Sequence, residues 1–317
     1  MRILDILKQG QAVSGQEIAR LLKISRAGVH KQIKKLRLAG YGIKGTTNSG
    51  YILESRPDLV TSEELKYYFD KSALPRHTVF YYPETGSTQD EARLIAGKDI
   101  YFPAIAVAEE QTGSYGRRRR AWLAPKGGLW FSLVLKPDIQ PDKIPQITFA
   151  ASLAVCRAIE KMLGLSPLIK WPNDVTLGGK KIAGILTEMS AEVGKLNWVI
   201  VGAGVNVNNS VPDAVSGIAG SLCEAAGRSI GRAELLAGIL SEFYALYGVF
   251  LEKGFSGFIK EYNDRSLLTG KYVRVDTGDG IAEGKALKVD KDGYLWLASP
   301  GQKSVKIMAG DVIKAVK

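Results

Sequence analysis

The sequence predicts an α+β protein in three parts, on three observations. Over residues 1–54, apolar residues recur at helical spacing in three short segments and then give way to two strand-like runs. Over residues 58–268, buried-strand runs alternate with amphipathic helices, the pattern of a mixed α/β domain. From Gly270 the texture changes to short strand runs separated by Asp/Gly turns, which reads as a small β-barrel of the SH3-like kind. The expected boundaries are 1–57, 58–268 and 269–317.

The N-terminal part begins with a short helix, residues 2–9, with Ile3, Ile6 and Leu7 on one face. Ser14-Gly15-Gln16-Glu17 has capping-box spacing, and Ile18, Leu21 and Leu22 give the second helix its buried stripe. Ser25 caps a third helix, where Val29, Ile33 and Leu36 repeat at helical spacing and Gly40 stops it. Residues 41–44 and 51–53 read as strands around a turn at 46–50. Two helices with a short turn and a following hairpin make a winged helix-turn-helix. Charge agrees. The chain carries a formal +11, and residues 1–54 hold ten Lys/Arg against three acids, a net +7. An anionic polymer is therefore the expected partner. Ser25, Arg26, His30, Lys31 and Lys34 are the expected DNA contacts, the alternative being a solvated basic helix.

Composition excludes several function classes. Cys156 and Cys223 form neither a metal spacing nor a disulfide framework, which fits a reducing cytoplasm, and Cys156 sits in an apolar helical pattern as core. Two histidines argue against His-rich metal sites and a Ser-His-Asp hydrolase, so no metal-ligating side chains are expected. There is no Gly-x-x-x-x-Gly-Lys-Ser/Thr loop. The N-terminus reads as a helix rather than a signal peptide, no apolar run reads as membrane-spanning, and no membrane association is expected.

In the middle part, residues 55–58 mark a linker edge, a helix starts at 61–65, and 79–82 is a strand. Gly86-Ser87-Thr88-Gln89-Asp90-Glu91-Ala92 opens a helix with Thr88 and Glu91 in capping-box register; Ser87 and Thr88 either form that cap or present hydroxyls and free N–H groups to a polar ligand head. Between buried strands 105–108 and 129–135 lies Glu110-Gln111-Thr112-Gly113-Ser114-Tyr115-Gly116-Arg117-Arg118-Arg119-Arg120-Ala121-Trp122. Glycine admits close backbone approach, arginine supplies forked donors for phosphate or carboxylate, and Trp122 offers a flat face. Four adjacent arginines should repel one another and leave an empty loop mobile; a solvated basic loop or nucleic-acid patch is the alternative. A long helix, 147–163, follows, then Lys170-Trp171-Pro172-Asn173-Asp174 and a hairpin turning at Gly178-Gly179. Lys181, beside Ile182-Ala183-Gly184, is placed to turn its amine inward. Residues 199–208 form another strand whose Gly202-Ala203-Gly204 is too short for a dinucleotide fingerprint, and helices follow at 233–247 and 255–262. The last strands fall at 272–275, 281–289, 294–297, 305–308 and 312–315, with turns at 276–280 and 290–293.

Three motifs in order now resemble one family. Ser87-Thr88-Gln89-Asp90-Glu91-Ala92, the Gln111–Trp122 loop with Lys126-Gly127-Gly128-Leu129-Trp130-Phe131-Ser132, and Lys170-Trp171-Pro172-Asn173-Asp174 with Lys181-Ile182-Ala183-Gly184-Ile185-Leu186-Thr187-Glu188 are similar to biotin protein ligases. With the winged helix before them and the barrel after, the chain resembles the bifunctional ligase and biotin-operon repressor over essentially its whole length. The resemblance implies a class II synthetase-like ligase domain. It implies two steps: biotin and ATP, with Mg²⁺, give biotinyl-5′-AMP and pyrophosphate, and a lysine of a biotin carboxyl carrier protein then takes the biotinyl group. It implies biotin contacts at Ser87, Thr88, Gln89, Gln111, Tyr115, Gly116, Arg117 and Lys181. Nucleotide contacts would fall to Arg117, Arg120, Trp122, Asn173 and Lys181, with Lys181, Arg117 and Arg120 neutralising charge that develops in the transition state. Asp174 either helps Asn173 organise the phosphate–metal end or fixes the turn. Operator DNA is the implied second partner, and a homodimer is expected when adenylate is bound, with the adenylate as co-repressor. The family's arginine loop usually reads Gly-Arg-Gly-Arg-x-Gly-Arg. Here Ser114, Tyr115 and Arg119 stand at the first Gly, first Arg and last Gly, and Gln89 stands where Asn is usual. A regulator that only senses a ligand, or a lipoate- or octanoyl-transferring relative, would share parts of this pattern.

Overall fold

The computed structural model describes residues 2–7, 11–46, 50–72, 74–192, 195–299 and 303–316. Lys8 and Gln9 of the expected first helix, and Thr47, Asn48 and Ser49 of the expected wing turn, lie outside them. The chain divides into two compact units, Met1–Leu59 and Val60–Lys317.

In the first unit, helices α1 (Ile3–Ile6), α2 (Gly15–Leu22) and α3 (Arg26–Leu38) enclose a core with the antiparallel hairpin of β1 (Gly42–Thr46) and β2 (Gly50–Ser55). Ile18, Val29, Ile33, Ile43 and Leu53 fill it. Helix α1 buries Ile3 and Leu4, Leu7 just after it is buried too, and Ile6 packs half-buried against the same core, so the expected face holds with Leu4 added to it. Ser14 Oγ accepts from Glu17 N at 3.1 Å. The Glu17 carboxylate turns to Arg20 instead of back to the cap, so the expected box is half made. Lys23, with φ 54°, turns the chain between α2 and α3, and Ser25 Oγ caps α3 through Gly28 N at 3.0 Å.

The second unit is organised by a seven-stranded sheet. Its elements are α4 (Ser62–Lys71), β3 (Thr78–Tyr82), α5 (Thr88–Ala96), β4 (Ala104–Ala108), β5 (Leu129–Leu135), α6 (Ile144–Leu163), β6 (Leu168–Lys170), β7 (Asp174–Leu177), β8 (Lys180–Glu192), β9 (Lys195–Val205), α7 (Leu222–Ala226), α8 (Arg232–Lys253) and α9 (Ile259–Asp264). Strand order is β3-β4-β5-β9-β8-β7-β6, antiparallel except for the parallel pair β3–β4. Strand β4 shows why the run 104–108 is apolar throughout. Ala104 and Ala106 face α5, with Ala92, Ile95, Val134 and Ile200, while Ile105 and Val107 join Phe131 and Leu133 in the core shared with α6 and α8. Each fully buried side chain of that size contributes roughly 1.5–3 kcal/mol. Cys156 on α6 is one of these core residues, and burial pushes its thiol up to about 12.

One stretch corrects the sequence reading. Arg232–Gly257 does reach the length and mean hydropathy, 1.4, of a membrane-crossing helix. Its Leu235, Leu236, Ile239, Leu240 and Phe243 are buried in the protein's own core, where α8 packs on α6.

The unit ends in β10 (Tyr272–Asp276), β11 (Ile281–Val289), β12 (Leu295–Ala298), β13 (Val305–Ile307) and β14 (Asp311–Val316), an antiparallel sheet in the order β13-β12-β11-β10-β14. Val273, Val275, Leu295 and Leu297 join the large core. Trp171 Nε1 donates to Gly293 O at 3.1 Å, tying the Lys-Trp-Pro-Asn-Asp segment to this sheet. Gly293 sits at φ +92°, and a Cβ there would meet Phe149 at 2.4 Å, so the contact requires glycine. The architecture is α+β, with a helix-turn-helix unit first and an antiparallel sheet last.

Candidate active site

The site starts at the N-terminus of α5. The cap is Ser87, whose Oγ accepts from Gln89 N at 3.2 Å. Thr88 was expected to share a capping box with Glu91, but Glu91 accepts from Thr85 Oγ1 at 2.8 Å. This leaves the Thr88 hydroxyl facing Ser132, whose Oγ lies 3.0 Å from both Thr88 Oγ1 and Gln89 Oε1. Gln111 Oε1 accepts from Thr88 N at 2.6 Å. Ser87, Thr88 and Gln89 are each buried to 4% exposure. The result is a buried, uncharged floor of donors and acceptors. Gly202 on β9 makes room for it, since a Cβ there would lie 2.3 Å from Gln89 Oε1.

The arginine stretch folds as a small hairpin. Tyr115 bridges Ala121, Gly116 N donates to Arg120 O at 2.8 Å, and Trp122 N donates to Ser114 O at 3.0 Å. Arg118 and Arg119 take φ of 53° and 56°, a left-handed conformation that costs a non-glycine residue about 1 kcal/mol or more. Arg119 occupies the position where the resembled motif has glycine, and it keeps the backbone conformation glycine favours.

The arginines are not left to repel one another. Asp311 of β14 pairs with Arg117 at 3.1 Å, Arg118 at 3.3 Å and Arg120 at 2.9 Å, and Asp276 pairs with Arg118 at 3.0 Å. Arg119 lies over the Tyr115 ring at 4.1 Å. Arg117 Nη1 also donates to Gly310 O at 3.1 Å. Burial lowers the Arg117 pKa, opposed by the carboxylates of Asp311 and Asp174. The expectation of a self-repelling loop is thus corrected, because its counter-charges come from strands 158 and 194 residues downstream.

The third wall is the β7–β8 hairpin. Lys181 Nζ lies 2.7 Å from Asp174 Oδ1 and 5.0 Å from the Trp122 ring centroid. Asn173 Nδ2 donates to Ile185 O at 3.0 Å, which leaves Oδ1 toward Arg117. Trp122 lies on two glycines that face each other across β8 and β9. A Cβ at Gly184 would meet its ring at 3.2 Å, and one at Gly204 would meet it at 2.8 Å. Gly202-Ala203-Gly204 therefore clears space for Gln89 and for the indole. The Trp122 Nε1 is buried without a hydrogen-bond partner.

These walls enclose one cavity of about 370 Å³. The structure brings Ser87, Thr88, Gln89, Gln111, Tyr115, Gly116, Arg117, Arg120, Trp122, Asn173 and Lys181 to its lining. Sequence reading missed Ser132, Gly202, Gly204 and Asp311, which line it as well. The glycines had a signal in their alternation along a buried strand; Asp311 had none. In the first unit, Ser25, Arg26, His30, Lys31 and Lys34 are all exposed, at or along α3.

A cavity with an uncharged hydrogen-bonding end, a cationic end and an aromatic plate, in a chain that also carries a helix-turn-helix unit, defines an enzyme that activates a small ligand and is joined to a DNA reader. Comparison with known proteins narrows this. An HTH domain profile matches residues 1–52, the Biotin/lipoate A/B protein ligase family profile matches 85–206, and the Biotin protein ligase C terminal domain profile matches 269–314. Bifunctional ligase/repressor BirA of Bacillus subtilis is 37% identical over 304 residues, covering 95% of this chain and 93% of that one. Its namesake in Escherichia coli is 25% identical over 303 residues, covering 95% and 92%. The structure of the biotin protein ligase from Aquifex aeolicus in complex with biotin and ATP superposes with a TM-score of 0.67 at 29% identity, covering 74% of this chain and 97% of that one. The chain belongs to the bifunctional biotin ligase/repressor family.

Proposed function

We propose that this biotin protein ligase joins the biotin carboxylate to the α-phosphate of ATP in the cavity and then passes the biotinyl group to a carrier-protein lysine. The carboxylate oxygen attacks the α-phosphorus, the bond to the β-phosphate oxygen breaks, and pyrophosphate leaves. The carrier's neutral ε-amine then attacks the biotinyl carbonyl, AMP departs, and the amine's proton is lost to solvent.

The observation that carries the reading is the polarity of the cavity along its length. Ser87, Thr88 and Gln89, with Gln111 bracing Thr88, form a buried uncharged end suited to the neutral ureido ring. The backbone N–H groups of Tyr115 and Arg117, on either side of the Gly116 N–H that the hairpin uses, and the Lys181 amine suit the carboxylate. Arg117, Arg120 and Lys181 stand where two anions must approach, so they lower the electrostatic barrier. Trp122, on its glycine floor, offers a face for the adenine. Among the described residues no group of three or more His, Cys, Asp or Glu side chains is gathered for a metal. Asn173 and Asp174 offer hard oxygens that would hold a Mg²⁺ carried on the ATP phosphates, and the ion would supply charge neutralisation there.

The same reading extends to the whole chain. Residues 1–57 are the DNA-reading domain, 58–268 the class II synthetase-like ligase domain, and 269–317 an SH3-like domain that holds the arginine loop. Ser25, Arg26, His30, Lys31 and Lys34 contact the operator. The adenylate-loaded protein homodimerises, works in the cytoplasm without a membrane, and represses with biotinyl-5′-AMP as co-repressor. Purified protein with ATP, Mg²⁺ and biotin should release pyrophosphate and label a carrier domain, and lipoate or octanoate should not replace biotin. Turnover with lipoate or octanoate but not biotin would overturn the reading.

A further inference from the structure

Gln89 is held from both sides. Its Nε2 donates to Glu188 Oε2 at 2.9 Å, and its Oε1 lies 3.0 Å from Ser132 Oγ. An amide has a donor end and an acceptor end, and a carboxylate can only accept. With Glu188 on one side, the amide has one allowed orientation. Glu188 is itself fixed: Arg93 Nη2 reaches its two oxygens at 2.8 and 2.6 Å. Arg93 is braced in turn by Asp90 and by the Tyr115 hydroxyl, which lies 2.7 Å from Nη2 and donates to Asp90 Oδ1 at 2.9 Å. Ser132 and Gly202 line the cavity and Glu188 does not, so the Oε1 end of Gln89 is the end turned toward the ligand space.

We infer that Glu188 is a specificity-determining positioning residue: it locks the Gln89 amide so that the cavity presents an acceptor to the ligand head, and so selects a ligand N–H at that point. Glu188 touches no ligand and acts through Gln89. Arg93, Asp90 and Tyr115 keep its carboxylate in place, which gives the tyrosine in the arginine loop a role at the head-group end. The inference rests on the reading that the biotin ureido ring lies on the Ser87–Gln89 floor.

The test compares biotin with a cyclic carbamate analogue in which one ureido N–H is replaced by a ring oxygen, both regioisomers being made. An acceptor facing that oxygen repels it, whereas a freed amide can turn and donate to it. Wild-type protein should prefer biotin in kcat/KM over one regioisomer by about a hundredfold or more. In Glu188→Met, which cannot accept the amide, that preference should shrink about tenfold. The KM for biotin should rise about tenfold, with kcat within about twofold. A residue needed only for folding would weaken both substrates together and leave the ratio unchanged. An unchanged ratio in a folded Glu188→Met variant overturns the inference. Failure of the wild-type protein to use biotin at all would instead overturn the functional reading. Should Glu188→Met not fold, the Gln89 side-chain N–H pair of the ligand-free wild type gives the readout by nitrogen-15 NMR. Slowed solvent exchange supports the lock, and exchange as fast as in exposed glutamines overturns it.

Discussion

Replacing Asp311 by Asn removes one charge that three loop arginines share. The contributions differ with exposure. The Arg120 and Arg118 side chains are 63% and 39% exposed, so solvent screens those pairs to about 0.5 kcal/mol each or less. Arg117 is 27% exposed against 17% for Asp311, at 3.1 Å. The gross attraction there is about 5 kcal/mol at an effective dielectric of roughly 20, most of it offset by desolvation. A net loss of about 2 kcal/mol follows, because Asn173, Gly310 and the Asp174 charge still hold the guanidinium. An unpinned loop must be ordered when ATP arrives, which converts that loss into an ATP effect. The KM for ATP in pyrophosphate release should rise about thirtyfold. Biotin binding without ATP, measured by calorimetry, should weaken less than ATP use, by about threefold, since the loop holds only the carboxylate and the Ser87–Gln89 floor keeps the ring. A folded Asp311→Asn protein with the wild-type KM for ATP would refute the idea that the C-terminal sheet pins the loop for catalysis.

Three further outcomes are expected. Lys181→Ala should lower the adenylation rate by about 3 kcal/mol of transition-state stabilisation and leave the melting temperature nearly unchanged; near-normal pyrophosphate release would remove Lys181 from the catalytic set. Alanine at Arg26, Lys31 and Lys34 together should weaken operator binding and reduce its salt slope by about one unit per site, with ligase activity intact; parental binding would show that α3 is not the reader. Burial holds the His77 imidazole down at about 4, where its Nε2 meets the Tyr244 hydroxyl at 2.7 Å. The folded pKa lies below the unfolded one, so the unfolded chain takes up more protons between about 6.5 and 4, and stability should fall through that window by up to roughly 3 kcal/mol. His77→Phe should flatten that acid limb in a pH series of denaturation midpoints, and an unchanged limb would place the proton uptake elsewhere.

How much of this was legible in the sequence depends on the range over which each signal acts. The strand expected at 105–108 begins one residue earlier, and the turn at Gly178-Gly179 and the cap at Ser25 appear where expected, since all three follow from local spacing. Caps with two candidates did not resolve, because the choice between Ser87 and Thr88 depends on where Glu91 turns, and Thr85 outside the helix decides that. The site motifs were visible as residue types but not as walls of one cavity. Gly204 reads as a loose Gly-x-Gly until Trp122 is seen lying on it. The arginine loop shows the same limit most clearly. From its own residues it is an excess of positive charge, and only the sheet that brings β14 alongside supplies Asp311.

That pairing bears on the proposed coupling of ligand binding to self-association. A bare loop of like charges would gain all its order from the adenylate, and the protein would lend the whole of that ordering to the dimer. Here three arginines are already paired with Asp311 and Asp276, so part of the order exists before any ligand arrives. The coupling free energy should then lie at the lower end of the usual range of about 1–3 kcal/mol. By linkage, whatever factor the adenylate adds to dimerisation, the dimer must add to adenylate affinity, and a carrier that captures the loaded monomer draws against both. Asp311→Asn removes the prior order and should therefore enlarge the difference that biotin plus ATP makes to dimerisation, by about threefold or more, while weakening ATP use. Sedimentation of both proteins with biotin alone, and with biotin and saturating ATP, measures that difference directly. A variant whose dimerisation responds to the adenylate no more than the parent's would mean that the arginine loop's order is not what links the cavity to the partner copy.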